Sequence, residues 1–384
     1  MNVYHEKWSR RRVLRGAMGL AAGIAPAVWS QQLGRSSSSA QRVLLVAQLV
    51  DNTASQLDVS RDFLIGSRAA WQDINARGGI NGRPIQHLTL EIDGSSGNMR
   101  TALDSIKKMS NCVALSGTAG DRASSQLVNL LRQDQYSIAH VAPWLQNSGM
   151  DGDNHTFPIF ASRQDQIAQA LKSLSIMGVP ELGAVYASEQ EYAQYHDDVE
   201  RASSALKIKL KSYKPVGELK LLGKGLTVDS PRILLFVGGT PELVQFTQGI
   251  DKQAQQRYVI AMADVNLQTM MQMRAARNTP VMATQVVPMI NSSLPVVKNY
   301  RETMARLYDE PPSPQSLAGY IAARYTSEVL NAVEGTPTRQ STLQAFQQRH
   351  SIDVGGFRVS FNAQGRSGSY VTQSMITPDG RLVG

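Results

Sequence analysis

One run of the sequence, residues 74–83, constrains the fold of this chain more than any other. It reads Ile-Asn-Ala-Arg-Gly-Gly-Ile-Asn-Gly-Arg and separates an amphipathic segment from an apolar one. Phe63, Gly66, Ala70 and Ile74 lead up to it at steps of three and four residues, which puts small and apolar side chains on one helical face. A helix is therefore predicted to end within this run.

The run also lies between two predicted strands. Gly78 suits the end of the helix because glycine tolerates the left-handed cap conformation, and Asn81-Gly82 is a second turn signal. Strands are predicted at residues 42–50, before the helix, and at residues 85–93, after it. A strand, a helix and a second strand in this order predict a parallel α/β domain.

The same alternation of helices and strands continues along the chain, interrupted by an irregular piece at residues 143–156 that is rich in Asn, Gly and Asp. Further helices are predicted at residues 98–110, 121–133, 164–177, 191–206, 241–255, 267–277, 296–308, 314–333 and 343–349. Further strands are predicted at residues 112–117, 137–141, 182–187, 208–213, 232–237, 258–263, 281–287, 356–361 and 370–376.

Several short motifs carry a family resemblance. They are Asp73-Ile74-Asn75-Ala76 with Gly79-Ile80-Asn81-Gly82, Ala114-Leu115-Ser116-Gly117, Ala142-Pro143, Gly238-Gly239-Thr240-Pro241-Glu242, and Gly-Gly-Phe-x-Val-x-Phe-Asn-x-x-Gly at residues 355–365. With these motifs the chain resembles the type I periplasmic solute-binding proteins, the leucine/isoleucine/valine-binding receptors of ABC importers. The resemblance covers nearly the whole chain after residue 41.

The resemblance implies an α/β fold of two Rossmann-like lobes joined by a hinge that the chain crosses three times. The first lobe is expected to comprise residues 41–162 and 286–345, and the second lobe residues 163–285 and 346–384. Binding domains of this kind close around a ligand by hinge motion.

Composition supports a folded protein and excludes one class of partner. Of the 384 residues, 42% are hydrophobic and 18% are charged, which is the balance of a globular chain rather than a disordered one. Residues 1–40 hold six Lys and Arg against one Glu, so they account for +5 of the formal net charge of +8. The remaining +3 is too small to indicate nucleic-acid binding, and no basic cluster with interleaved aromatic residues follows.

The single cysteine, Cys112, excludes an intramolecular disulfide and a multi-cysteine metal site. It lies in the apolar run Cys-Val-Ala-Leu, which indicates a buried strand residue.

The N-terminus is typical of an export signal. Ser9-Arg10-Arg11-Arg12-Val13-Leu14 fits the twin-arginine signature, and the apolar stretch at residues 16–28 is too short to span a bilayer. Residues 25–27 and 38–40 are candidate cleavage sites. These features predict export by the twin-arginine machinery, cleavage of residues 1–40 as signal peptide and linker, and a periplasmic location. The alternative is an uncleaved membrane anchor.

Ligands of open α/β sheets bind at the carboxyl ends of the strands, so loops at those ends are candidate binding segments. In the first lobe these are residues 51–61, 117–122 and 143–146. The resemblance implies that positions 118–121 and 144–146 line the cleft that grips the α-carboxylate and α-ammonium groups in amino-acid receptors. The predicted ligand-binding residues of this lobe are Thr118, Ala119, Asp121, Trp144 and Leu145.

Three positions depart from the family pattern. Asp121 replaces a small hydroxyl residue, and Trp144 and Leu145 replace small residues after the proline. Trp144 is interpreted as an aromatic wall of the cleft or as inter-lobe packing. Asp121 is interpreted as the partner of a ligand cation or hydroxyl, or as an ordinary helix N-cap.

Three residues are candidates for the opposite wall. Tyr192 follows the start of a helix, and Thr240 stands where the amino-acid receptors often present an aromatic hydroxyl. Asp264 follows the strand at residues 258–263, near the acidic residue that binds the ammonium group in those receptors. The alternative role of Thr240 is a helix cap ahead of Pro241.

Enzyme signatures are missing from the sequence. There is no Gly-x-x-x-x-Gly-Lys-Ser/Thr phosphate loop and no Gly-x-Ser-x-Gly elbow. The six histidines show no metal-ligand spacing. No catalytic residue, cofactor or metal is therefore predicted.

The function predicted from the sequence is a periplasmic receptor that captures a small amino-acid-like or related polar metabolite between its lobes and delivers it to an inner-membrane ABC permease. The alternative is a sensor of the same fold that passes its ligand state to a membrane kinase or another regulator.

Overall fold

The structure is a computed structural model, and it describes residues 43–151, 153–273, 279–368, 370–377 and 382–383. The predicted twin-arginine signal, its cleavage sites and the linker lie outside the described residues. Among the described residues, no helix has both the length and the apolar character needed to span a bilayer.

The first lobe is built on a parallel five-stranded sheet in the order β2-β1-β3-β4-β5. Its strands are β1 (Leu44–Asp51), β2 (Ile85–Ile92), β3 (Cys112–Ser116), β4 (Ala139–Val141) and β5 (Thr156–Phe157). The helices between them are α1 (Leu57–Ala76), α2 (Ser96–Lys108) and α3 (Asp121–Gln133), and a single 3₁₀ turn covers Ser148–Met150.

The second lobe is built on a seven-stranded sheet in the order β14-β13-β10-β9-β8-β6-β7. In this sheet β13 is antiparallel to β10, and β14 is antiparallel to β13. Its strands are β6 (Glu181–Tyr186), β7 (Lys209–Tyr213), β8 (Ile233–Val237), β9 (Tyr258–Ala261), β10 (Val281–Gln285), β13 (Thr372–Ile376) and β14 (Leu382–Val383). Its helices are α4 (Arg163–Ile176), α5 (Glu189–Ala205), α6 (Leu219–Lys224), α7 (Thr240–Ile250) and α8 (Leu267–Gln272).

The chain passes between the two sheets three times. It leaves the first sheet after β5 and the second sheet after β10. It then forms α9 (Pro295–Leu307), α10 (Pro314–Asn331), α11 (Arg339–Gln347) and the hairpin of β11 (Ile352–Val354) with β12 (Phe357–Val359). These elements share one core cluster with α1 and the first sheet, and the chain then returns to the second sheet at β13. The predicted two-lobe α/β fold is confirmed, whereas the residues assigned to each lobe stay a prediction.

The predicted small face of α1 allows close contact between two helices. A β-carbon at Gly66 would lie 1.7 Å from the carbonyl oxygen of Ser316 in α10, and one at Gly319 would lie 1.9 Å from the carbonyl oxygen of Phe63. Real β-carbons do not approach other atoms so closely, so glycine is required at both positions. This contact attaches α10, whose first turn lies beside the cleft, to the first lobe.

The turn at the end of α1 also needs glycine. Gly78 and Gly79 have φ angles of 104° and 71°, and a β-carbon on Gly79 would lie 1.9 Å from the carbonyl oxygen of Arg83. The chain therefore reverses here before β2, as residues 74–83 predict.

Besides the two-residue strands β5 and β14 and the single 3₁₀ turn, the short helix α6 and the strand β11 were not predicted from the sequence. The helix has six residues and no side-chain cap, and its position depends on contact with α7. A β-carbon on Gly223 would lie 2.6 Å from the carbonyl oxygen of Phe246. Tertiary contact of this kind leaves no periodic pattern in a short segment.

Candidate functional site

The loops at the carboxyl ends of both sheets bring five charged or polar side chains together between the lobes. Asp121 begins α3 and Trp144 follows β4 in the first lobe. Arg163 begins α4, Glu191 lies in the first turn of α5, and Asp264 follows β9 in the second lobe. We call these five residues the polar bridge.

Arg163 is at the centre of the polar bridge and is 3% exposed. Its Nη1 donates to Glu191 Oε2 at 2.6 Å, and its Nη2 donates to Asp264 Oδ2. Its guanidinium also lies 4.8 Å from the centre of the Tyr195 ring. Burial opposes the charged guanidinium, but Glu191 and Asp264 outweigh it and raise the pKa of Arg163. The group is therefore a permanent cation with two carboxylate partners.

Trp144 contributes the contact that crosses from the first lobe to Asp264. Its Nε1 donates to Asp264 Oδ1 at 2.7 Å. The ring packs edge-on against Phe63 and tilted against Phe160, with centroid distances of 5.8 and 5.9 Å. Both carboxylate oxygens of Asp264 are thus occupied by the protein's own donors.

The carboxylate of Asp121 faces the same charges without bonding to Arg163. Its Oδ1 accepts the backbone N–H of Gln146 at 2.7 Å. Burial raises the pKa of Asp121 to about 6, Arg163 opposes that rise, and the carboxylates of Asp264 and Glu191 add to it. Gly120, not Asp121, occupies the N-cap position of α3, so the predicted alternative of an ordinary helix cap is wrong.

A chain of carboxamides runs beside the polar bridge and also links the lobes. Gln166 in α4 donates through Nε2 to Gln146 Oε1 at 2.5 Å. Its Oε1 accepts from the backbone N–H of Ala263 at 2.9 Å and from Thr284 Oγ1 at 2.7 Å. The loop after β4 is therefore tied to the ends of β9 and β10.

Three predicted residues of the first lobe are buried with their polar groups already bonded. Thr118 Oγ1 lies 2.9 Å from His140 Nε2, and burial lowers the pKa of His140 to about 3, so the ring is neutral. The N–H of Ala119 donates to Leu49 at 2.9 Å. The carbonyl of Leu145 accepts from Arg366 Nη1 at 2.8 Å.

Thr240 lies at a second contact between the lobes. It is the first residue of α7, after the N-cap Gly239, so the predicted alternative of a cap is wrong. Its Oγ1 accepts the backbone N–H of Asn266 at 2.9 Å, and its hydroxyl is also hydrogen-bonded to Asp58 in α1. Asn266 Nδ2 in turn donates to Asp62 Oδ2 of α1 at 3.0 Å.

Tyr192 lies apart from the polar bridge. Its ring contacts Tyr186 and His196, with centroid distances of 5.1 and 4.5 Å, and Lys214 Nζ lies 4.9 Å from it. Tyr195, one turn later in α5, contacts Arg163 instead. Of the predicted residues, Asp121, Trp144 and Asp264 are brought together, and Tyr192 is not.

One group among the described residues has the geometry to hold a metal ion. The ligand atoms of His196, Asp197 and Glu200 lie within 4.8 Å of one another on α5, and both carboxylates are exposed. Exposed acidic groups of this kind are common on helices without any ion.

Arg163, Glu191 and Gln166 were missed by sequence reasoning. A local signal existed for the first of these, because Ser162 and Asp165 form a capping box that marks residue 163 as the start of α4. Its partners lie 28 and 101 residues away, and no local pattern indicates such pairs.

A cavity of about 230 Å³ lies beside Asn266, the residue that donates to Asp62 of the first lobe. We call it the Gln315 cavity. Its lining residues are Val265, Asn266, Leu267, Gln268, Met271, Gln285, Ile290, Pro311, Pro312, Pro314 and Gln315. Gln315 is 1% exposed, and its Nε2 donates to the carbonyl of Ala263 at 3.0 Å. Its Oε1 is buried and has no hydrogen-bond partner among the described residues.

Comparison with known proteins gives one family. The model of the family described as "Periplasmic binding protein" matches residues 45–377. A search of curated proteins finds no match.

Solved structures share the fold at low sequence identity. A substrate-binding periplasmic protein from Ralstonia solanacearum is 21% identical, with a TM-score of 0.78 over 88% of this chain and 99% of the other. A fatty acid ABC transporter substrate-binding protein from Thermomonospora curvata is 14% identical, with a TM-score of 0.76 over 89% and 90%. The branched-chain amino acid transporter substrate binding protein LivJ from Streptococcus pneumoniae, in complex with isoleucine, is 13% identical, with a TM-score of 0.74 over 89% and 98%.

Proposed function

This chain belongs to the periplasmic binding protein family, and on that premise we propose that it is a receptor that closes its two lobes on a small solute and delivers it to an inner-membrane ABC importer. The proposal draws on the two-lobe fold and on structural neighbours that are named as transporter substrate-binding proteins. Its partners are then a small molecule and a permease.

The observation that carries the proposal is the set of polar contacts between the lobes. Trp144 bonds to Asp264, and Asp62 accepts from Asn266, so these contacts exist only when the lobes are together. A solute that also contacts both lobes adds its binding free energy to the closed form alone. It therefore shifts the population from open to closed, which is the signal that a permease reads.

The arrangement of Asp264 bears on the class of solute. An α-amino acid bound in the family manner places its ammonium group against an acidic residue of the second lobe. Here Trp144 and Arg163 already occupy both oxygens of Asp264. This favours a related small metabolite without an ammonium group, such as an amide, over an ordinary amino acid. The family resemblance predicts Thr118, Ala119, Asp121, Trp144, Leu145, Tyr192, Thr240 and Asp264 as ligand contacts, and this stays a prediction that competes with the cavity site argued below.

The location follows from the family and the N-terminal sequence. We place the mature protein in the periplasm, after export through the twin-arginine machinery and removal of the signal peptide. The consecutive arginines at positions 10–12 support this route.

The function is tested by purifying the protein from its own periplasm and examining it by native mass spectrometry. We expect one small molecule retained per chain. After the molecule is removed by unfolding and refolding, adding it back is expected to lower the radius of gyration in small-angle scattering. A protein that retains nothing, and whose scattering stays unchanged across a broad metabolite panel, would contradict the proposal.

Uptake of the retained molecule separates transport from sensing. A strain that lacks the protein is expected to lose uptake of the labelled molecule. Normal uptake together with a lost transcriptional response would favour the sensor.

A further inference from the structure

The polar bridge leaves little for a solute to bind. Arg163 and Trp144 occupy both oxygens of Asp264, and Arg163 also holds Glu191. The Trp144 ring is 1% exposed and packed between Phe63 and Phe160. A ligand at this position would have to displace the indole and compete with a buried guanidinium. The polar bridge therefore works as a latch between the lobes.

The Gln315 cavity is formed by both lobes. Val265 and Leu267 belong to the segment that follows β9 and opens α8 in the second lobe. Pro312 precedes α10 and Gln315 lies in its first turn, and α10 is attached to the first lobe by α1. Ile290 lies on the second crossing between the sheets. Separation of the lobes would open the cavity, and closure would enclose its contents.

The chemistry of the walls selects against charge. No side chain that lines the cavity in the described part of the chain is ionisable, and most of them are aliphatic, prolyl or thioether groups. An ion would lose its hydration there without gaining a partner, which is costly. A neutral and mainly apolar molecule avoids that loss.

One polar group sets the orientation of such a molecule. The Oε1 atom of Gln315 is a buried acceptor without a partner among the described residues, while the Nε2 atom of the same side chain is held by the carbonyl of Ala263. This hydrogen bond fixes the carboxamide, so its free oxygen can only accept. A hydroxyl or amide N–H on the solute would donate a hydrogen bond to this oxygen.

We propose that the solute is held in the Gln315 cavity, and that it is an uncharged, mainly apolar small molecule with one hydrogen-bond donor for Gln315 Oε1. The cavity volume of about 230 Å³ suits a single ring or a short branched chain, because drug-sized ligands occupy sites of about 300–1,000 Å³. This inference rests on the proposed function, since it names the solute class that the receptor would carry.

The test uses four fluorinated probes of similar size and follows their ¹⁹F NMR linewidths as protein is added. The probes are 4-fluorobenzyl alcohol, which is neutral with a donor, 4-fluorotoluene, which has no donor, 4-fluorobenzylamine, which is a cation, and 4-fluorophenylacetate, which is an anion. We expect the alcohol to bind at least about tenfold more tightly than the other three, a difference typical of one buried hydrogen bond. Equal binding of a charged probe, or no binding of the alcohol at millimolar concentration, overturns the inference.

Variants locate the probe. Ile290→Trp fills the cavity from a partly buried position and is expected to abolish binding of the alcohol. Ile176→Trp makes the same change at a position that is 78% exposed, and it is expected to leave binding unchanged. Gln315→Met removes the acceptor and is expected to reduce the alcohol to the affinity of 4-fluorotoluene. Binding that survives Ile290→Trp overturns the site.

The natural solute separates failure of the site from failure of the function. If native mass spectrometry shows the solute retained by the Ile290→Trp variant, the receptor function stands and the site is wrong. The opposite result is that neither the wild type nor any variant retains a solute, while the alcohol binds the wild type and fails to bind Ile290→Trp. In that case the site stands and the receptor function is wrong.

Discussion

At the polar bridge the two lobes meet through a buried cation, three carboxylates and an indole. At the Gln315 cavity, by contrast, they meet around a mainly apolar space that contains one hydrogen-bond acceptor without a partner among the described residues. In the first region most of the polar atoms that cross between the lobes are bonded to the protein itself. In the second, Gln315 Oε1 has no partner within the described structure.

This difference separates two tasks that a closing receptor must perform. The polar bridge fixes how the lobes meet, because buried charged groups tolerate few alternative arrangements. The cavity determines what is enclosed, because its walls discriminate by shape, polarity and one donor. Variants in the bridge should therefore change stability and closure, and variants in the cavity should change solute affinity.

The largest effect is expected for Arg163→Met. This change leaves Asp264 and Glu191 in the buried bridge without their cation, and breaking a buried pair in this way costs about 3–5 kcal/mol of unfolding free energy. Urea denaturation followed by circular dichroism measures the loss. Arg201→Met is the matched control, because Arg201 has a side chain that is 76% exposed and pairs with Asp198 at the surface. Equal losses in the two variants would show that the bridge is not a latch.

Trp144→Phe tests the contact between the bridge and the first lobe. The phenyl ring keeps the packing against Phe63 and Phe160 but cannot donate to Asp264. Because hydrogen bonds to charged groups contribute about 1.5–3 kcal/mol, we expect a loss of that size and a larger radius of gyration without solute. An unchanged scattering profile would mean that this contact does not hold the lobes together.

The pH dependence of stability reports on Asp121, whose pKa is raised to about 6 in the folded protein. The folded state holds this proton more tightly than the unfolded chain does, so the contribution of Asp121 to stability is largest below about pH 4 and is lost as the pH rises to about 6. Since the side chain is partly exposed, we expect a change on the order of 1–2 kcal/mol.

Asp121→Asn keeps an acceptor for the N–H of Gln146 and removes the titration. Between pH 4 and pH 7 the unfolding free energy of the variant should rise relative to that of the wild type by about 1–2 kcal/mol. Asp197→Asn, at an exposed position of α5, should show no such gain. If Arg163 instead holds Asp121 ionised at pH 5, the two variants will behave alike.

The smallest effect is expected for Asn266→Ser at the edge of the cavity. Serine still caps α8, but it is too short to reach Asp62. Loss of one cross-lobe hydrogen bond should cost roughly 0.5–1.5 kcal/mol. Binding of 4-fluorobenzyl alcohol should weaken only slightly, as measured by ¹⁹F NMR. Complete loss of binding would indicate that Asn266, rather than Gln315, accepts the hydrogen bond from the hydroxyl of the probe.

The fold could be predicted because its main elements are local patterns. The buried face of α1 and the glycines after it are indicated by residues close together in the sequence, and the alternation of strands and helices follows from hydrophobic periodicity. The short helix α6 and the strand β11 escaped prediction because contact with neighbouring elements, rather than local periodicity, determines them.

The candidate site could be predicted only in part. Asp121, Trp144 and Asp264 follow strands, and the rule that ligands bind at strand ends, together with the family resemblance, predicted them as parts of one site. The sequence-based prediction names Tyr192 rather than Tyr195, although Tyr195 and Val199 lie four residues apart on the buried face of α5. The Gln315 cavity has no sequence signal, because an unfilled space depends on how distant segments pack.

A crystal structure of the protein with the solute that it retains from its own periplasm tests the central claim most directly. We predict a neutral molecule in the Gln315 cavity, with its donor about 3 Å from Gln315 Oε1 and with Trp144 still bonded to Asp264. A solute that lies between Thr118 and Asp264, with the Trp144 indole displaced, would contradict it.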